Sequence, residues 1–147
     1  MRNLAFAVAV VACSAFAQSA EKCPALERED VRVSGKNDEW TLTKLKLAVG
    51  DVLLIEAFGK VKVGGWIGEV TADGTADANQ FGRLMLKIGT EDVSKPGARA
   101  FITSESSGEV KLKVSDSKYT DNSGAYSVML IRIPACAIPE QKIPPVE

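Results

Sequence analysis

The chain has 147 residues, with 18 lysines and arginines against 19 aspartates and glutamates, a formal net charge of −1 and no histidine. No basic block disturbs this balance, which argues against a nucleic-acid partner. The missing imidazole removes the usual proton carrier of catalytic triads and most acid–base schemes, so no enzymatic activity is expected.

Met1-Arg2-Asn3 is a short positive start, Leu4 to Ala12 an unbroken small apolar run, and Ala15-Phe16-Ala17 an A-x-A cleavage signal. Residues 1–17 therefore read as a signal peptide and the protein as exported, to the periplasm or outside the cell. The apolar run is far shorter than the roughly 20 residues that cross a bilayer, and no other stretch approaches that length, so no transmembrane segment is expected. Val10-Val11-Ala12-Cys13 also fits the small and aliphatic residues that precede an acylated cysteine in bacterial lipoproteins. Cys13 is thus a candidate lipid anchor as well as a residue of a discarded peptide.

Two cysteines remain, Cys23 and Cys136, one near each end of the exported chain. In an oxidising compartment they are expected to pair. A bond between them closes nearly the whole domain into one loop, for which the loop-entropy model assigns about 4.7 kcal/mol, and it requires the first and last strands to be neighbours.

Residues 18–29 read as an N-terminal extension, 30–134 as one β-sandwich domain and 135–147 as a Pro-rich tail. From residue 30 onward, β-branched and aliphatic runs alternate with turn clusters, and no segment shows an apolar stripe of helical period and length. Val31-Arg32-Val33, Thr41 to Leu47, Glu109 to Val114 and Ala125 to Ile133 carry strand patterns, the second and third alternating Lys, Thr or Glu with Leu or Val as strands with one wet face do. Val52-Leu53-Leu54-Ile55, Leu84-Met85-Leu86 and Val128 to Ile131 are continuously apolar, as expected of strands covered on both sides or central in a sheet pair. Turn signals fall at residues 34–38, Gly50-Asp51, Asp73-Gly74, 95–97, 106–108 and 121–124. The pattern predicts an all-β, antiparallel sandwich of about eight strands.

Chemistry concentrates in Asp116-Ser117-Lys118-Tyr119-Thr120-Asp121-Asn122-Ser123-Gly124. Asp116, Asp121 and Asn122 bring oxygens that could converge on a hard cation, which wants about six to eight oxygen ligands, carbonyls and water supplying the rest. The spacing is not that of an EF-hand. The other reading of Asp121-Asn122-Ser123-Gly124 is a hairpin turn, with Asn and Gly at positive φ, and composition does not choose between the two.

Three blocks in order, Gly50 to Gly59, Leu84 to Gly89, and Asp116 through Asp121-Asn122-Ser123-Gly124-Ala125-Tyr126-Ser127-Val128, resemble the calcium-dependent PA-I-type galactophilic lectins. The resemblance spans residues 30–133. It implies a jelly-roll-like sandwich of the galactose-binding-domain type with a calcium at one end, ligated also by the hydroxyls of a galactose-type saccharide. Carried over residue by residue, it implies Asp116, Asp121 and Asn122 as side-chain ligands, with Val63 and Lys118 as carbonyl donors. Asp121 stands where the lectins usually carry asparagine, which adds charge in favour of a cation. The segment from Asp116 to Asp121 is shorter than in the lectins, which shifts the carbonyl assigned to Lys118.

The lectins also contact the sugar through a histidine and a glutamine, and here the histidine is absent. Gln80 is the only glutamine near that place. Residues 60–81 instead hold Gly64-Gly65-Trp66, Asp73-Gly74-Thr75 and Asp77-Ala78-Asn79. Trp66 is either a stacking platform for a sugar or a plug closing the core, and Asp73 either a polar contact to ligand or a solvated turn residue. Asp116 and Asp121 as a glycosidase pair are less well accounted for than as ligands of one ion, which would hold both ionised. Two functions stand: a calcium-dependent carbohydrate-binding module with Trp66, Asp73, Gln80, Asp116 and Asn122 around the ligand, or a non-catalytic envelope protein or lipoprotein with a calcium-stabilised sandwich that binds no sugar.

Overall fold

The computed structural model describes residues 22–139; the stretch read as a signal peptide, with Cys13, and residues 140–147 lie outside them. Alternating apolar residues build eight strands: β1 (Glu27–Ser34), β2 (Thr41–Leu47), β3 (Val52–Val63), β4 (Gly68–Val70), β5 (Leu84–Ile88), β6 (Arg99–Thr103), β7 (Gly108–Val114) and β8 (Ser123–Ile133). A four-residue helical turn, α1 (Gly64–Ile67), joins β3 to β4, and a 3-10 turn follows β8 at Ala135–Ala137. One antiparallel sheet runs β1-β8-β3-β4, with β6 paired to the other half of β3, and the second runs β2-β7-β5. Every connection except β3–β4 crosses from one sheet to the other. Among the described residues no helix is long and apolar enough to cross a membrane.

The core lies between the sheets because the period-2 alternation of each strand turns its apolar set inward. Leu53, Ile55, Ala57, Val61 and Val63 of β3 and Tyr126, Val128 and Leu130 of β8 face Leu45 and Leu47 of β2, Leu84, Leu86 and Ile88 of β5, and Val110, Leu112 and Val114 of β7, all buried. Each of the larger aliphatic side chains contributes about 1.5–3 kcal/mol by leaving water.

The structure adjusts three expectations. First, β1 begins at Glu27, inside the stretch read as an extension, and its Glu-Arg-Glu-Asp half pairs with Arg132 to Met129 of β8. It is charged because β1 is an outer strand, where charge blunts an open edge. Second, the continuously apolar β5 is an edge strand, not a central one; its Met85 and Lys87 are half-buried on the outer face. Third, β7 and β8 lie in different sheets, so residues 115–122 form a corner of the sandwich and not a hairpin.

The neighbouring termini carry the expected bond. Cys23 and Cys136 are joined, with Cα atoms 5.8 Å apart and 113 residues between them in sequence. Beside it, Asp51 is 3% exposed and receives three donors. It accepts from the Ala48 N–H at 2.9 Å, the Ala135 N–H at 3.0 Å and Arg132 Nε at 2.7 Å, while Arg132 also reaches Glu27 Oε1 at 2.7 Å. Burial alone would raise the Asp51 carboxyl, but the Ala48 and Ala135 N–H groups and the Arg132 guanidinium outweigh it and hold the group below its ordinary 3.8.

A depressed carboxyl stabilises the fold fully above its unfolded value and loses that contribution as pH falls through the lower, folded value. Acid titration of the disulfide-intact protein should therefore show a loss of stability below about pH 4 that Asp51→Asn removes, at the cost of lower stability at pH 7. Equal acid profiles for the two proteins would contradict the network.

Candidate functional site

One end of the sandwich is built from three segments that the chain order keeps far apart. β3 ends at Val63 and turns into α1, where Gly64 adopts φ 53°, a left-handed backbone that favours glycine. The corner from Ser115 to Asn122 joins β7 to β8, and the long loop from Thr71 to Arg83 joins β4 to β5. That loop is fastened beside the corner, because the Gly82 N–H donates to Ser115 O at 2.7 Å and the Ser115 N–H to Arg83 O at 2.8 Å. From within the core, the fully buried Tyr126 hydroxyl lies 2.7 Å from Gly82 O and 2.9 Å from Thr71 O. Burial first, and the Asp73 charge second, push this phenol far above its ordinary value, so it stays a donor at any physiological pH.

Asn122 ties the end of β3 and the turn after β1 to the corner. It is 2% exposed. Its Oδ1 accepts the Gly64 N–H at 3.0 Å, and its Nδ2 donates to Gly35 O at 3.0 Å and to Asp116 Oδ2 at 2.6 Å. The amide expected as a ligand is thus engaged in bracing the site, with one lone pair of its carbonyl oxygen remaining.

Asp116 is held from every side. Its Oδ1 accepts the N–H groups of Ser117 at 2.6 Å and Lys118 at 3.3 Å, and its own N–H donates to the Tyr119 hydroxyl, which donates to Val114 O at 2.9 Å. Asp121 is more open, its side chain 41% exposed, and its Oδ2 meets Lys118 Nζ at 3.2 Å. Asp116, Asp121, Val63 and Lys118, four of the five predicted ligands, line one open depression of about 160 Å³ with Gly64, Gly65, Trp66, Ile67, Phe81 and Ser117. Among the described residues no three His, Cys, Asp or Glu side chains cluster, so a cation here would rest on these two carboxylates and take its other oxygens from amides, carbonyls and water. The donor set is all hard oxygen, which fits calcium.

Trp66 is not a plug of the core. It is fully exposed on α1 at the rim of the depression and closes no part of the core. Gly65 beside it has open space where a side chain would stand. Asp73 is elsewhere: its Oδ1 accepts the Ala98 N–H at 2.8 Å, fastening the long loop to the approach of β6. Gln80, at φ 52°, is not among the lining residues and donates its N–H to Asp77. Asp77 accepts from Thr75, Asn79 and Gln80, and the Thr75 hydroxyl bond, with the two N–H groups acting against burial, keeps its carboxyl low. Phe81, Ser117 and the Tyr126 hydroxyl belong to the site or its support; Ser117 and Tyr126 stood within the motifs of the sequence, which gave them no role. A larger groove of about 290 Å³ on the outer face of the five-stranded sheet, between Arg28, Arg32, Phe58 and Met129, holds one carboxylate, Asp30, which is paired with Arg28.

Two substitutions check this support. Tyr126→Phe should lower stability by about 1–2 kcal/mol, leaving the buried Gly82 carbonyl without its donor, and Asn122→Ala by about 3 kcal/mol, since Gly64 N–H and Gly35 O both lose a partner. Denaturant unfolding measures both; unchanged midpoints would refute the bracing role.

No protein-family model matches the chain, and no curated protein does. Eight solved chains share its fold. One is the N-terminal domain of EclA, described as a PllA-like lectin, with a TM-score of 0.62 and 23% identity over 71% of this chain and 95% of that domain. At that identity the likeness shows the fold: this chain is a β-sandwich of the kind found in that lectin domain.

Proposed function

We propose that the protein is an exported, non-catalytic carbohydrate-binding module that captures a galactose-type saccharide at the Asp116–Asp121 depression with the help of calcium. The observation that carries this reading is the meeting of two carboxylates, Val63, Lys118 and a fully exposed Trp66 around one open depression. Trp66 adjoins Ile67, itself 38% exposed, so an apolar surface lies directly beside the polar depression. A sugar's apolar face suits such a ring, and its hydroxyls suit a site made of oxygen and N–H groups.

Asp116 is pre-positioned by three hydrogen bonds, so little ordering is needed when a ligand arrives. Asp121 supplies the adjustable second carboxylate, and Asn122 keeps Gly64 and Asp116 in register. A bound calcium ion would supply a charge to which both carboxylates and vicinal sugar hydroxyls can attach. Trp66 would then set which face of the sugar is accepted.

A second reading, recognition of a protein partner, draws on Phe58 and Phe101, 53% and 75% exposed on the outer face of the five-stranded sheet. It leaves the depression and Trp66 without a role.

Calcium titrated calorimetrically into the chelator-treated protein should bind, and Asp116→Ala should weaken it at least about tenfold. Galactose added to the calcium-loaded protein should then give heat that Trp66→Ala reduces without altering calcium binding. Absence of calcium heat, or sugar binding unaffected by a chelator, would sink the calcium-dependent reading.

A further inference from the structure

The basic residue lining the depression is the lysine that touches both of its acids. The Lys118 backbone N–H donates to Asp116 Oδ1, and its ammonium sits 3.2 Å from Asp121 Oδ2. The remaining lining residues are Val63, Gly64, Gly65, Trp66, Ile67, Phe81 and Ser117, none of them charged. Two carboxylates against one ammonium leave the depression net negative. A cation is already in place there, supplied by the chain itself.

Resting on the calcium-dependent reading above, we infer that Lys118 is a tethered competitor for the ion, which occupies Asp121 when calcium is scarce and thereby sets the calcium concentration at which the site becomes competent. The pair is built to be broken. Its side chains are 69% and 41% exposed, and such ion pairs hold by only about 0–1 kcal/mol. The ammonium ends a flexible four-carbon stem, so it can leave by rotation of side-chain torsions while the backbone N–H stays on Asp116. A divalent ion offers the two carboxylates twice the charge in a smaller volume and displaces it. The displaced ammonium remains nearby and repels the ion, which weakens binding further. Both effects move the site toward the affinity of extracellular calcium modules, about 10⁻⁴–10⁻³ M, and away from that of intracellular buffers.

The test is a calorimetric titration of calcium alone into the chelator-treated protein, its Lys118→Met variant and a control, Lys46→Met. Lys46 lies on β2 and pairs with Glu109, so the control makes the same change in net charge away from the depression. The expected result is that Lys118→Met lowers the calcium Kd about threefold to tenfold, while Lys46→Met stays within about twofold of the parent. Thermal melts of all three calcium-free proteins confirm equal folding, as both lysines are exposed. Calcium binding of equal or lower strength in Lys118→Met, or an equal gain in Lys46→Met, overturns the competitor role and leaves the calcium site standing. No calcium heat in any of the three overturns both.

Discussion

A single buried amide holds the functional end of this sandwich together. The chain crosses between the sheets at almost every connection, so β7, which brings Asp116 to this end, shares no ladder with β1, β3 or β8. Gly35 leaves β1, Gly64 leaves β3, and Asp116 leaves β7. Asn122 bonds to all three, with one acceptor and two donors spent inside the protein. An aspartate would lack the donors and a serine the reach. Because the amide is satisfied in three directions, the backbone on either side of the depression is fixed before any ligand enters.

The opposite end is secured differently. There the two termini lie side by side because β1 pairs with β8, and the disulfide and the Asp51–Arg132–Glu27 network close it with one covalent and several charge-assisted bonds. Charged groups serve at that end because Asp51 is nearly enclosed and receives three donors, one of them charged, which offset its loss of water. The disulfide fits a protein that works outside the reducing cytoplasm. The end with the depression carries its carboxylates half-open instead, with Asp121 paired to an exposed lysine.

Much of the architecture was legible because it depends on period-2 patterning. Leu45 and Leu47, Val110, Leu112 and Val114, and the runs of β3 and β8 declare inward faces directly. β1 was half hidden, since an edge strand tolerates Glu-Arg-Glu-Asp where a central one does not, and Arg99 to Thr103 is too short and mixed to stand out. Which sheet a strand joins is not encoded locally, so the corner at 115–122 could be taken for a hairpin. The site was legible as a set of oxygen-bearing residues, and Asp116, Asp121, Val63 and Lys118 do meet. What periodicity cannot show is which way a polar group is spent: Asn122 braces, Asp73 fastens a loop, and the Tyr126 hydroxyl supports Gly82 from below. The exposure of Trp66 depends on a glycine-flanked turn whose direction only the folded backbone reveals.

The central claim is that a saccharide binds at the Trp66–Asp116–Asp121 end, and amide chemical-shift mapping of the isotope-labelled protein with galactose in millimolar calcium tests it most directly. The account predicts saturable shifts confined to Val63–Ile67, Phe81 and Ser117–Asn122, vanishing when calcium is chelated. Shifts centred on Phe58 and Phe101 of the outer sheet face, or none at any sugar concentration, would contradict it.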